Sequence, residues 1–270
     1  MLPIHYSHDP DKQGEWPIRE MEKYRKDFGD WEGTWNREME LDFTSVPGAL
    51  AYLSFAKVNL CKGLAYNQSL PLCLDCDFNV EPMIWGISQV IAGDLYSIDE
   101  IKVSPASVED MVSEFRNRYP AHPAEIWVYG DATGNKRTSQ TASSDYDLMR
   151  LYFRGYPSPR IFKVSRFNPP IKDRINAVNL RLRGEDGKPG WIIDPDKCLE
   201  LVKDLAEVIA KDGKIVKTSN REDPYFARTH ASDGPGYHIF REWPVVQEVI
   251  QHAKKKRKPL KQRYRGMAGL

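Results

Sequence analysis

At 270 residues, 41% hydrophobic and 29% charged, the chain is long enough to bury one sizeable core and has the composition of an ordinary globular protein. No apolar run approaches the roughly 20 residues that span a bilayer, and the polar stretch Met1–Lys26 lacks the apolar segment of a signal peptide, so the sequence reads as soluble and intracellular. The net charge of +1 hides an asymmetry: eight Lys and Arg lie between Lys254 and Arg265 with no acid among them, leaving 31 basic against 38 acidic residues elsewhere. Such a tail suits a phosphate backbone, the alternative being a solvated terminus.

The first sixty residues show no long clean period. Met1–Thr34 is polar and rich in charges and aromatics, and Trp35–Asn59 holds the turn cluster Ser45-Val46-Pro47-Gly48 before a short apolar run at Leu50–Phe55. We read residues 1–68 as a partly helical linker or docking arm, 69–253 as the main domain and 254–270 as a basic tail. Strands are predicted at Leu72–Asn79, Met83–Ala92 and Asp94–Ser104, the last two joined by a tight turn at Gly93-Asp94. The period then becomes helical in Ser107–Tyr119, where Val108, Met111, Val112 and Phe115 share a face, Ser107 and Asp110 resemble a cap, and Pro120 ends the run. A strand at Ala124–Tyr129 ends at Gly130-Asp131. Next come a helix at Asp145–Phe153 capped by Ser143 or Ser144, a strand at Arg160–Ser165, helices at Pro170–Leu182 and Pro195–Ala210, an extended piece at Gly213–Thr218, and helices at Asp233–Phe240 and Pro244–Ala253. Hairpin strands followed by strand–helix alternation predict an α/β fold, a mixed sheet with helices on its faces.

The four cysteines are Cys61, Cys73, Cys76 and Cys198. Cys73 and Cys76 have CxxC spacing, but they sit in a strand with side chains to opposite faces, and no second pair stands at zinc-site spacing. They read as ordinary thiols.

Acids are out of place at three points of the chain. Aspartate is disfavoured in strands, yet Asp75 and Asp77 lie two apart in one, facing the same side. Asp131 ends the apolar strand before Ala132-Thr133-Gly134, where α/β folds gather ligands; alone it is equally a turn residue. In Ser232-Asp233-Gly234-Pro235-Gly236-Tyr237, Ser232 or Asp233 is by itself simply a helix N-cap. Together, three carboxylates suit hard divalent ions, which prefer oxygen ligands. His230 and His238 flank the third acid and read first as capping or core residues, with moving protons at a metal site as the alternative. Lys136, Arg137, Arg181 and Arg183, with Lys254, Lys255, Lys256 and Arg257 of the tail, are candidates for contact with a DNA backbone.

The segment Leu72–Trp85, with Asp77-Phe78-Asn79 and Glu81-Pro82-Met83 at its centre, resembles the first carboxylate strand of the large terminase subunits of tailed bacteriophages. Tyr129-Gly130-Asp131-Ala132-Thr133-Gly134 followed by Ser144-Asp145-Tyr146-Asp147 is similar to that family's second acid and following helix. Asn168–Asn179 resembles its next helix, and His230–Tyr237 its third-acid motif, all in the family's order. The resemblance implies a ribonuclease H-like nuclease domain over 69–253. Asp77, Asp131 and Asp233 would hold two Mg²⁺ or Mn²⁺ ions, and the enzyme would cut concatemeric phage DNA during genome packaging, in the cytoplasm of the infected bacterium. Implied partners are double-stranded DNA, a packaging ATPase domain, the portal and the small terminase subunit. Asn79 would orient the first acid or a phosphate. Asp75 departs from the pattern and is either an extra ligand or, the reading preferred, a solvated edge charge; with Asn79 and His230 it is a candidate supporting residue. Gly130–Thr138 lacks the glycine and lysine spacing of a phosphate-cradling loop, so no ATPase is expected in this chain. Two alternatives remain open: a non-catalytic DNA-docking or assembly module, and another ribonuclease H-like nuclease such as a junction resolvase.

Overall fold

The computed structural model describes residues 11, 14–27, 35, 49–136, 143–184, 187–211, 214–218, 220, 221, 223 and 225–244. Arg137, the stretch 245–253 expected to be helical, and the basic tail with Lys254, Lys255, Lys256 and Arg257 lie outside the described residues. In chain order the elements are α1 (Trp16–Asp27), β1 (Ala49–Leu50), β2 (Leu72–Cys76), β3 (Met83–Ile91), β4 (Asp94–Val103), α2 (Val108–Arg118), β5 (Ile126–Gly130), α3 (Asp145–Tyr152), β6 (Arg160–Phe162), α4 (Ile171–Leu182), β7 (Trp191–Ile193), α5 (Leu199–Glu207), β8 (Ile209–Lys211), β9 (Lys214–Ile215) and α6 (His230–Glu242). None of the described helices is long and apolar enough to cross a membrane.

The main sheet runs β6-β5-β2-β3-β4-β7. Its centre, β2-β3-β4, is an antiparallel meander, and β5 and β6 then lie parallel beside β2. This is a mixed sheet with helices on its faces, as the alternation of elements predicts. Alternation divides the side chains between two cores. Leu72, Leu74, Cys76, Trp85 and Ile87 face α2 and α3, whereas Ile84, Leu95 and Ile193 face α4, α5 and α6. Helices α2 and α3 begin where their local chemistry directs, each with a capping box, Ser107 with Asp110 and Ser144 with Asp147.

Several elements differ from expectation, each for a non-local reason. Strand β2 stops at Cys76, the last residue paired with both β3 and β5, so Asp77 lies just past its end. The helix expected over Pro195–Ala210 shortens to Leu199–Glu207, because Lys197 and Cys198 donate to the Asp194 carbonyl in a turn and Ile209 and Ala210 pair with β1. β7 adds a three-residue parallel edge beside β4 that has no sequence period of its own. Residues preceding β2 contribute to the second core: Ala51 and Tyr52 are buried there, Ser54 N–H donates to Asn179 Oδ1, and buried Asn59 donates to the carbonyls of Leu182 and Trp191. Cys73, Cys76 and Cys198 are buried free thiols, and Cys61 is exposed.

Candidate active site

Strands β2 and β5 are parallel neighbours, with Cys76 opposite Gly130. The residues that follow them, Asp77 and Asp131, therefore emerge side by side at the carboxyl edge of the sheet, the edge at which open α/β sheets place ligands. Asp233 arrives from a third direction, on the first turn of α6. That helix starts at His230, three residues earlier than the sequence suggests, and its cap is neither Ser232 nor Asp233. Thr229 turns left-handed at φ 85° without a side-chain cap, and Asp204 of α5 accepts from the N–H groups of Ala231 at 3.0 Å and Ser232 at 2.9 Å. A carboxylate at a helix N-terminus also complements the helix dipole. Asp204, buried, is pushed up to about 7 by desolvation, against the pull of Arg228 and of the backbone N–H groups it accepts from.

Gly234 then allows α6 to lie directly on β2. A Cβ there would overlap the Asp75 carbonyl oxygen, with the carbonyl carbon 2.7 Å and Cys76 N 3.2 Å away. This close approach carries Asp233 to the end of β2. Asp77, Asp131 and Asp233 line one cavity of about 800 Å³, together with Asn79, Asn168, Arg174, Lys217 and Tyr237.

The three acids sit in different electrostatic surroundings. Asp77 is buried, and desolvation followed by the charge of Asp233 pushes its carboxyl up to about 8, although the Asn79 amide donates to Oδ2. Asp131 is half-buried. Burial pushes it up, but donors outweigh that and hold it below the usual range: Thr133 N–H at 2.5 Å and Asn168 Nδ2 at 2.7 Å on Oδ1, and the Tyr237 hydroxyl at 3.2 Å on Oδ2. Asp233 is flanked by two cations, with buried Arg174 2.7 Å from Oδ1 and Lys217 3.3 Å from Oδ2. The Arg174 contact is close without being an aligned hydrogen bond: its Nη1 donates to the Asp233 carbonyl at 3.1 Å, and Oδ1 is left without a hydrogen-bond partner.

These residues fit a divalent cation in kind. The oxygens of Asp77, Asp131 and Asp233, with Asp145 on the same wall, are hard donors facing one space, and the burial and Asp233 charge that raise the Asp77 carboxyl are costs that a bound cation would offset. Among the described residues, no three His, Cys, Asp or Glu side chains already stand close enough together to enclose an ion.

The other sequence candidates are placed differently. Asp75 is not a solvated edge charge: it is buried, accepts from Ser88 Oγ at 2.7 Å and bonds His238 Nδ1 at 2.7 Å, beneath a Tyr129 ring stacked on the imidazole at 3.7 Å. His230 points its Nδ1 at the Pro82 carbonyl, 3.1 Å away, and lines a neighbouring cavity rather than the acid one; burial lowers its pKa. Lys136 is exposed after the short turn Ala132–Asn135. Arg181 is tied to Asp94 at 2.9 Å and lies over the Trp243 ring. Sequence reasoning missed Arg174, Asn168, Tyr237 and Lys217. Arg174 carried a signal, a charge one turn from Ile171 and Val178 on the apolar side of its helix. Lys217 carried none.

The large terminase of a thermophilic bacteriophage superposes on this chain with a TM-score of 0.50, at 12% identity over 88% of this chain and 55% of that one. Over that span the chain shares the fold of a phage large terminase. The same terminase in complex with ATP-γ-S gives a TM-score of 0.50 at 12% identity over 89% of this chain and 55% of its own. This chain thus spans little more than half the length of the terminase it matches. The P22 large terminase nuclease domain aligns at a TM-score of 0.47 and 12% identity, over 68% of this chain and 88% of that one. The large terminase nuclease of the thermophilic phage G20c with bound cobalt aligns at 0.45 and 11%, over 70% and 98% respectively. No family model matches the sequence, and no curated protein matches it.

Proposed function

We propose that this chain is a divalent-metal-dependent endonuclease that hydrolyses double-stranded DNA during phage genome packaging, with Asp77, Asp131 and Asp233 as its metal ligands. The observation that carries the reading is the convergence of these acids, from three separate elements, on one cavity at the carboxyl edge of the sheet. Residues 69–253 would form the nuclease unit, joined by the stretch around Ala49–Asn59 that packs into its second core. Its partners would be DNA, a packaging ATPase domain, the portal and the small terminase subunit.

Two bound Mg²⁺ or Mn²⁺ ions would supply an activated water and draw charge from the phosphate. The protein's own groups prepare the ligands. Asn79 occupies one oxygen of Asp77, leaving the other for the cavity. Thr133 and Asn168 fix Asp131 and keep it ionised, ready to bind a cation. Arg174 offsets Asp233 from the buried side, while Lys217, 56% exposed, approaches from solvent. In the net reaction a water oxygen joins phosphorus as the P–O3′ bond breaks, giving a 3′-hydroxyl and a 5′-phosphate and releasing a proton to solvent.

Nicking and linearisation of supercoiled plasmid with Mn²⁺, abolished by EDTA, is the expected result. Undiminished cutting by Asp77→Asn and Asp233→Asn would remove both residues from these roles. One observation favours a second reading, a non-catalytic DNA-docking module: no ready-made enclosure for an ion exists among the described residues. Calorimetry with Mn²⁺ separates the two, because the docking module binds no ion.

A further inference from the structure

Beside the acid cavity lies a second opening of about 370 Å³, and the two share Asn79 and Lys217. Its wall carries four basic side chains, Lys217, Arg221, Arg228 and His230, against one acid, Glu81. Arg228 is committed to the fold, its buried guanidinium 2.8 Å from Glu200 Oε2 and 3.4 Å from Asp204 Oδ1. Lys217 and Arg221 are not held in this way. Arg221 is 74% exposed and pairs with Glu81 at 2.9 Å, a contact in solvent where such pairs are weak. Lys217 is mostly exposed and reaches Asp233 at 3.3 Å. A phosphate offers both cations a stronger, doubly charge-assisted partner. Half-buried Phe226 adds an aromatic surface to the same wall.

We propose that this second cavity binds the DNA phosphate next to the scissile one on the same strand, with Arg221 and Lys217 as its cationic ligands and Asn79 at the junction of the two cavities. The proposal rests on the nuclease reading of the acid cavity, since that reading places the scissile phosphate. Glu81 holds Arg221 in the free protein and competes with the phosphate for it. Lys217 plays the matching part at Asp233, and its transfer to a phosphate uncovers Oδ2 on the acid side. DNA binding and cation binding at Asp233 therefore favour one another, as any such linkage must do reciprocally.

The test uses the full chain and a short fluorescein-labelled DNA duplex, with affinity read by anisotropy in EDTA across a salt series so that no cutting intervenes. Arg221→Gln weakens binding by about five- to ten-fold and reduces the slope of log affinity against log salt by about one. Glu81→Gln, by releasing Arg221, tightens binding, the opposite sign from the neighbouring substitution. Lys62→Gln, at an exposed residue that lines neither cavity, changes neither quantity by more than a small amount. Unaltered affinity and salt slope in Arg221→Gln overturn the site, and so does weaker binding in Glu81→Gln. Cutting in Mn²⁺ is scored separately. A wild-type chain that does not cut but shows both binding effects refutes the nuclease reading and keeps the phosphate site. A chain that cuts while Arg221→Gln binds normally does the reverse.

Discussion

Replacing Gly234 with alanine tests how the site is assembled. The added methyl would overlap the Asp75 carbonyl oxygen and stand 2.7 Å from its carbon and 3.2 Å from Cys76 N. These atoms belong to the backbone of β2, a strand paired on both sides, so no side-chain rotation relieves the contact. Helix α6 must lift by roughly 1 Å to restore ordinary separation, and overpacking of this kind costs about 1–3 kcal/mol. Alanine recovers about 1 kcal/mol through its better helix propensity, so the net loss is about 0–2 kcal/mol. The effect on function is larger. Asp233 is the preceding residue and moves with the helix away from Asp77, and a misplacement of about 1 Å at a reacting centre can cost about 100-fold in rate. Urea denaturation measures the first quantity and plasmid nicking in Mn²⁺ the second. Gly93→Ala is the control: its φ of 91° makes alanine strained, but nothing lies within 4 Å of the new methyl, so stability falls by about 1 kcal/mol while nicking is retained. A Gly234→Ala protein that nicks DNA at the wild-type rate would refute the claim that this helix–strand contact positions the third acid.

Two further outcomes follow from the charges. The Asp77 carboxyl is raised from 3.8 to about 8 in the folded chain, so the native state holds more protons than the unfolded state between those values. The contribution of Asp77 to stability in EDTA is therefore full below about pH 4 and is lost as pH rises to about 8, a fall that Asp77→Asn should remove from a pH series of thermal melts. The same group makes Mn²⁺ binding at neutral pH release a proton, which appears as a dependence of the calorimetric heat on buffer ionisation enthalpy. Arg174→Met removes the buried counter-ion of Asp233 and should cost about 3–5 kcal/mol in urea denaturation, with Asp233→Asn in the same chain restoring part of the loss.

Much of the architecture is written locally. The α2 and α3 starts follow from Ser107 with Asp110 and Ser144 with Asp147, because a capping box closes within four residues. The alternation of Leu72, Leu74 and Cys76 with Cys73, Asp75 and Asp77 assigns faces before any partner is known, because successive side chains of a strand point to opposite sides. Asp77, Asp131 and Asp233 could be picked out as acids in unexpected settings, and the structure brings them to one cavity.

The division between Asp75 and Asp77 was beyond local reach. Alternation puts both on one side, but β2 ends at Cys76: His238 of α6 meets Asp75, whereas Asp77, past the strand, lines the cavity that Asp233 also lines. The cap of α6 was equally hidden, because Asp204 supplies it from a different helix, and Lys217 reaches Asp233 from the stretch after β9. Periodicity and capping act over a few residues, so sequence determined the faces and most of the elements, and marked Asp77, Asp131 and Asp233 as acids in unusual settings. Which acid is flanked by cations, which is held ionised by donors and which is raised by burial depends on groups brought close by packing, and only the tertiary structure decided that.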